Sequence, residues 1–181
     1  GEFKKIEILS PSKIQTYIDC PRKFYFTHVQ NLELKWPSTS EIKPDQLGNI
    51  EHEIIREYVE KNGIVLRDEI VKTLSKSKVD MLVSQNGLQL NKGDYEYYLS
   101  EVEEYSRNGI LVISSLGERF GISKITFEEA IEIPDLQIRG RIDCYLEFNN
   151  GTFGILDFKR SSYGIPKIGE HEKHLAIQIW I

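Results

Sequence analysis

Apolar residues change period once along this chain, from helical spacing before about residue 120 to alternation after it. Over 45–61, Leu47, Ile50, Ile54, Ile55, Tyr58 and Val59 recur every three or four positions, which predicts an amphipathic helix closed by Asn62-Gly63. Two further helices are expected over about 66–83 and 94–116, set apart by Asn86-Gly87 and Lys92-Gly93. Nearer the start, Ser10 can cap a helix with Pro11 in its first turn, and Ser12 with Gln15 offers an alternative capping box. That helix carries Ile14, Tyr17 and Ile18 on one face and stops at Cys20-Pro21. A further helical turn follows through Arg22-Lys23-Phe24-Tyr25-Phe26, then a loop over 32–44. Past residue 120 the pattern alternates and turns β-branched: strands are expected over 122–133, 137–148 and 152–159, the last two joined by an Asn149-Asn150-Gly151 hairpin. After a loop with Gly164, Pro166 and Gly169, a helix is expected from near His171 and is still running at Ile181, so a natural C-terminal segment is expected beyond it.

Helices, then a meander of strands, then a helix predict an α+β or α/β domain with a helical insertion ahead of its sheet. The 181 residues suffice for one such domain. Composition excludes several classes. No run approaches the roughly 20 apolar residues of a membrane span, so no membrane is expected as a partner. Two cysteines, Cys20 and Cys144, are too few for a disulfide framework, and a cytoplasmic location is expected. A net charge of −5 is unlike a bulk-electrostatic nucleic-acid binder. It leaves room for a carboxylate site filled by a divalent cation, which supplies positive charge that formal counting misses. No phosphate-binding glycine loop, nucleophilic triad or zinc cluster is present.

The chemistry concentrates in Gly140-Arg141-Ile142-Asp143 and Gly154-Ile155-Leu156-Asp157-Phe158-Lys159. Side chains alternate across a strand, so Asp157 and Lys159 share one face while Leu156 and Phe158 enter the core. If the hairpin is symmetric about Asn150, Asp143 lies opposite Asp157. A two-residue turn at Asn150-Gly151 would shift the pairing and put Asp143 on the wrong face. The chemistry therefore needs a loop of odd length centred on Asn150, or a bulge. Two such carboxylates repel unless a cation lies between them, and Mg²⁺ or Mn²⁺ would make them oxygen ligands. Such a site activates water and neutralises charge on a phosphodiester, with Lys159 orienting the water or stabilising the developing charge. An isolated Asp-x-Lys is commonly a surface ion pair; the apolar flanks here argue against that, because charges rising from a buried strand need a partner or a task. His52 sits beside the apolar face of its helix, where a histidine packs as core or serves as a metal ligand. Gly48, one turn earlier, would let a backbone or substrate come close.

These residues resemble a known family. Ser10-Pro11-Ser12-Lys13-Ile14-Gln15-Thr16-Tyr17-Ile18-Asp19-Cys20-Pro21-Arg22-Lys23-Phe24-Tyr25-Phe26 looks like the opening motif of RecB-like PD-(D/E)xK nucleases, and the CRISPR-associated RecB-like exonucleases are the nearest subgroup. Gly48 with His52 resembles that group's Gly-x-x-x-His helix, Gly140 to Asp143 its Gly-x-Ile-Asp motif, and Asp157-Phe158-Lys159 its (Asp/Glu)-x-Lys motif. Gln178 matches the glutamine of a closing Gln-x-x-x-Tyr motif whose tyrosine would fall after Ile181. The resemblance spans residues 8–181, with 64–120 uninformative. It implies one nuclease domain with a restriction-endonuclease-like core, a mixed central sheet flanked by helices. His52, Asp143, Asp157 and the backbone carbonyl of Phe158 would hold Mg²⁺ or Mn²⁺. Lys159 would be catalytic, and Gln178 would position the substrate or Lys159. The implied activity is hydrolysis of single-stranded DNA from an end, in CRISPR spacer acquisition or in repair and recombination, with the proteins of those processes as partners. Many members also hold an iron–sulfur cluster on one cysteine of the Cys-Pro motif and three near the C-terminus. Cys20 matches the first, no C-terminal trio exists, and Cys144 faces the wrong side of its strand to replace one.

Arg141, Arg160 and Tyr163 are the expected substrate contacts. Tyr95, Tyr97, Tyr98 and Tyr105 could stack bases but are better read as packing of the helical region, and Glu128, Glu129 and Glu132 as a solvated strand face rather than further ligands. The alternative function is a nuclease-like module that binds DNA or a partner without cutting.

Overall fold

The computed structural model describes residues 9–32 and 41–159 and the backbone of 176–180. Among the described residues, five α-helices accompany a four-stranded sheet in the order β1-β2-β3-β4. The helices are α1 (Pro11–Asp19), α2 (Pro21–Phe24), α3 (Pro44–Asn62), α4 (Asp68–Gln85) and α5 (Lys92–Phe120), and a π-helical turn, Tyr25–Val29, continues α2. The strands are β1 (Ile122–Ile133), β2 (Ile138–Phe148), β3 (Phe153–Lys159) and β4 (Ala176–Trp180). This mixed α+β arrangement, helices ahead of the sheet, is consistent with a restriction-endonuclease-like fold. Among the described residues no helix is long and apolar enough to cross a membrane.

The chain forms two compact units. One comprises Gly1–Pro37 and Glu128–Ile142, the other Ser38–Phe127 and Asp143–Ile181. In the first, the Ser10 hydroxyl accepts from the Lys13 N–H at 3.3 Å and caps α1. The Ser12 hydroxyl bonds Ser10 and the Gln15 amide reaches Asp19, so the alternative capping box does not form. Cys20 ends α1 and begins α2, its Sγ accepting from the Lys23 N–H. Leu9 bridges Ile138 in parallel. Within β1, Glu128 adopts a left-handed conformation, φ 58°, an irregularity that alternation did not foretell.

The second unit holds the core. One face of α3 buries Leu47, Ile50, Ile54, Ile55, Tyr58 and Val59, the periodic set of the sequence, together with Glu51. Toward its N-terminal half this face meets Val79, Leu82 and Val102 of α4 and α5. Toward its C-terminal half Ile55, Tyr58 and Val59 meet Ile110, Ile113, Leu146, Leu156 and Phe158. The Tyr58 hydroxyl donates to the Val65 carbonyl and accepts from the Arg67 N–H, both at 2.7 Å, pinning the turn into α4. Tyr105 is buried core, Tyr95 donates its hydroxyl to Asp80 at 2.6 Å, and Tyr98 packs against the second cluster, so these three serve packing. An added Cβ at Gly48 would meet nothing within 4 Å, so no backbone among the described residues uses that opening.

The β2–β3 hairpin settles the register. Cys144, Tyr145, Leu146 and Glu147 pair with Leu156, Ile155, Gly154 and Phe153, a register symmetric about Asn150. The Phe148 N–H donates to the Thr152 carbonyl and the Gly151 N–H returns to Phe148, with Gly151 at φ 82°. This is a three-residue loop, a turn followed by a left-handed glycine, and therefore has the odd length the site requires. The Asn150 side-chain carbonyl accepts from the backbone N–H and hydroxyl of Thr152 and stiffens it. Burial alternates as the register demands: Cys144, Leu146, Phe148, Gly154, Leu156 and Phe158 are buried, and the residues between them are not.

One expectation is corrected. The helix expected from His171 through Ile181 is, over Ala176–Trp180, a strand that pairs antiparallel with β3. Ala-Ile-Gln-Ile-Trp alternates and is β-branched, and β3 offers it a free edge; a short apolar run cannot be assigned by periodicity alone. Residues 33–40 and 160–175, which include Arg160, Tyr163 and the loop expected around Gly164, Pro166 and Gly169, lie outside the described residues.

Candidate active site

The site forms where the β2–β3 ladder ends. Beyond the Cys144–Leu156 pair, the Asp143 carboxylate takes the place of a ladder acceptor: its Oδ2 accepts from the Phe158 N–H at 2.9 Å. That bond fixes the carboxylate beside the β3 backbone. One residue of α3, His52, reaches the same spot. Its Nε2 lies 3.0 Å from the Phe158 carbonyl oxygen, and its Nδ1 lies 3.8 Å from Asp143 Oδ2. Because a carbonyl only accepts, Nε2 carries the proton of that bond. The imidazole also meets the Phe158 ring edge-on, with centroids 5.6 Å apart. Phe158 thus anchors its ring in the core and presents both backbone groups to the site.

On the same face of β3, Lys159 Nζ lies 2.8 Å from Asp157 Oδ1. In the β3–β4 ladder Asp157 pairs with Gln178, whose backbone therefore stands beside the acid on the neighbouring strand. Burial holds Asp143's carboxyl above the usual carboxylate range, and Asp157's charge adds to this. The nearby His52 and Lys159 charges and the Phe158 N–H pull the other way. Cys144, one residue on, faces the core, and burial pushes its thiol up to about 12, so it is an inert thiol.

The donor set suits a small divalent cation. The Asp143 and Asp157 carboxylates and the Phe158 carbonyl are hard oxygen donors, and His52 adds one imidazole. To serve as a ligand, His52 Nε2 would have to give up the proton it now shares with the Phe158 carbonyl. Among the described residues no three His, Cys, Asp or Glu side chains are gathered tightly enough to hold an ion by themselves. Asp157 is paired with Lys159, and one of the four donors is a backbone carbonyl.

A family model for the PD-(D/E)XK nuclease superfamily matches residues 8–180. The chain belongs to the PD-(D/E)XK nuclease superfamily. Members are nucleases that hydrolyse phosphodiester bonds with divalent metal, typically Mg²⁺, so this protein is assigned as a metal-dependent nuclease with a nucleic-acid substrate. No curated protein matches the chain.

Of the residues expected from sequence, this fold brings together His52, Asp143 and Phe158, with Asp157 and Lys159 adjoining them on β3. Arg141, expected at the substrate, lies in the other compact unit and is bonded to Glu128 at 2.7 Å. That pair also accounts for Glu128, which is an arginine partner on its strand. Arg160 and Tyr163 lie outside the described residues. Cys20 is a helix cap in the first unit. Sequence reasoning missed a stacked pair, Tyr145 and Phe153, with centroids 6.0 Å apart on the sheet face that carries the aspartates. Alternation and the register about Asn150 contain that signal, since 145 and 153 share the parity of 143 and 157.

Proposed function

We propose that this chain is a Mg²⁺- or Mn²⁺-dependent deoxyribonuclease of the RecB-like type that digests single-stranded DNA from an end, in CRISPR spacer acquisition or in repair and recombination. The observation that carries the catalytic reading is the meeting of His52 Nε2, the Phe158 carbonyl and Asp143 Oδ2 at the end of β3. The resemblance of the motif order to the CRISPR-associated exonucleases supports the finer reading. His52, Asp143, Asp157 and the Phe158 carbonyl would hold the cation, which supplies charge neutralisation on the phosphodiester and a more acidic water. The Phe158 N–H holds Asp143 in place, and the Phe158 ring in the core prevents that backbone from moving away. Lys159, on the same strand face as Asp157, orients the attacking water or stabilises charge on the phosphate oxygens. Its ammonium lies 2.8 Å from the Asp157 carboxylate, and a cation held by Asp157 would weaken that pair and leave the lysine to the substrate. Gln178, across from Asp157, positions the substrate or Lys159.

The test is cleavage of end-labelled single-stranded DNA with Mg²⁺ or Mn²⁺, beside Asp157→Ala and Lys159→Ala. Cleavage by the wild type that both substitutions abolish is expected. No cleavage with either metal would favour a module that binds without cutting, and equal cleavage by the variants would reject this site.

A further inference from the structure

Helices α1 and α2 and the π-helical turn contain no buried residue, although they are rich in aromatics. Tyr17 is 55 % exposed, Tyr25 42 % and Phe26 41 %. These rings are organised. Tyr17 meets Phe24 edge-on at 5.4 Å, and Tyr25 meets Phe26 at 5.5 Å. The π-helical winding, seen in the Gln30 N–H bond to the Tyr25 carbonyl, turns each residue through less than an α-helix does. Consecutive positions still diverge by about a quarter turn, and the edge-to-face contact of the two rings is what brings them together. Tyr25 is further held by a 2.7 Å bond from the Gln30 side-chain amide to its hydroxyl.

Charge says what such a face receives. The chain is acidic overall, at −5, yet the described stretch 9–32 carries Lys13, Arg22 and Lys23 against Asp19 alone. Arg22 and Lys23 are exposed, and the Arg22 guanidinium stands over the Phe26 ring at 5.8 Å. Exposed rings interleaved with cations match a polyanion whose units alternate a flat π-face with a phosphate. An acidic or apolar protein surface would use either the cations or the rings. We infer that Tyr17, Tyr25 and Phe26, with Arg22 and Lys23, form a stacking platform for single-stranded nucleic acid. The choice of a nucleic acid rests on the nuclease reading. Bases stack on Tyr25 and Phe26, and the neighbouring phosphates pair with Arg22 and Lys23. The platform tolerates any sequence, because every base has a π-face.

The test is fluorescence anisotropy of labelled oligothymidylate with the full chain in EDTA, where cleavage cannot occur. Wild type is expected to bind. Tyr25→Ala with Phe26→Ala should weaken binding by about tenfold or more, and Tyr25→Leu with Phe26→Leu, which keeps apolar bulk, should lose as much. Arg22→Ala with Lys23→Ala should flatten the plot of log affinity against log salt by about 1.4, roughly 0.7 per lost phosphate contact. Tyr97→Ala, which removes an exposed ring of α5, serves as the control and should leave binding unchanged. Absence of wild-type binding, or wild-type affinity in the alanine or leucine pair, overturns the platform. So does a shift from dimer to monomer on Tyr25→Ala with Phe26→Ala at unchanged affinity, which would make the face a protein contact. A chain that binds in EDTA but never cuts refutes the nuclease reading alone; one that cuts while the ring variants keep full affinity refutes the platform alone.

Discussion

Gly109 of α5 faces Ile55 of α3, the helix that carries His52, and replacing it with alanine puts the packing behind His52 to a quantitative test. A Cβ at 109 would overlap the Ile55 Cδ1 atom, and would stand 3.1 Å from Ile55 Cγ1 and 3.7 Å from Phe158 Cε1. Ile55 lies one helical turn after His52 on α3 and is fully buried, so its β-branched side chain has little room to change rotamer. Overpacking of this kind costs about 1–3 kcal/mol. The gain in helix propensity from Gly to Ala offsets about 1 kcal/mol, leaving a net loss of about 0–2 kcal/mol. For a chain of this size that lowers the melting temperature by up to roughly 4–8 °C. Relief must come from α3 or from the Phe158 ring, and either motion opens the 3.0 Å approach of His52 to the Phe158 carbonyl. Metal-dependent cleavage should fall more than stability does. Ile55→Val removes the overlapping methyl. Alone it should cost about 0.5–1.5 kcal/mol, but in the Gly109→Ala background it should restore both melting temperature and cleavage. Thermal melts of the four proteins of this cycle, followed by circular dichroism, give the coupling. A rise in melting temperature for Gly109→Ala, or strict additivity with Ile55→Val, would refute close packing of α3 on α5 here.

Asp143→Asn keeps an acceptor for the Phe158 N–H and removes a charge that burial disfavours. A carboxyl raised in the folded state adds stability below its ordinary pKa and loses it as pH rises through the folded value, so at neutral pH the ionised group costs stability. The variant should melt higher than wild type in EDTA, gain nothing from Mg²⁺, and lose metal affinity by more than the roughly 10–100-fold typical of an outer-sphere partner. Lower melting in EDTA, or equal Mg²⁺ stabilisation of both proteins, would contradict this. Lys78 bonds Glu53 at 2.7 Å and Glu57 at 3.0 Å, and hydrogen bonds from Lys61 and Lys78 lower Glu57's carboxyl below its usual range. That stability is present above pH 4.5 and is lost as pH falls through the depressed value, so Glu57→Gln should flatten the dependence of melting temperature on pH in acid. Its hydrogen bond to Asp80 pushes the Tyr95 phenol up to about 12. A stability term complete below pH 10 and lost between 10 and about 12 follows, and Tyr95→Phe should remove one late-ionising phenol from the ultraviolet titration at constant low salt.

Much of this protein is legible in its sequence because its patterns are local. Period fixes which face of α3 is apolar, and all six periodic residues are buried. Alternation separates Asp157 and Lys159 from Leu156 and Phe158, as burial along β3 shows. The meeting of Asp143 with the end of β3 was legible only as a condition on loop length. Asn149-Asn150-Gly151 can close as a two- or a three-residue loop, and the choice depends on the contacts of the strands it joins. Only the tertiary structure decided for the three-residue loop and its register about Asn150. It also decided that His52, 106 residues from Phe158 along the chain, faces the Phe158 carbonyl, that Arg141 goes to Glu128, and that Ala176–Trp180 pairs as a strand. These are choices among long-range partners of similar chemistry, and the energy that selects between them comes from packing and strand pairing that no local pattern encodes.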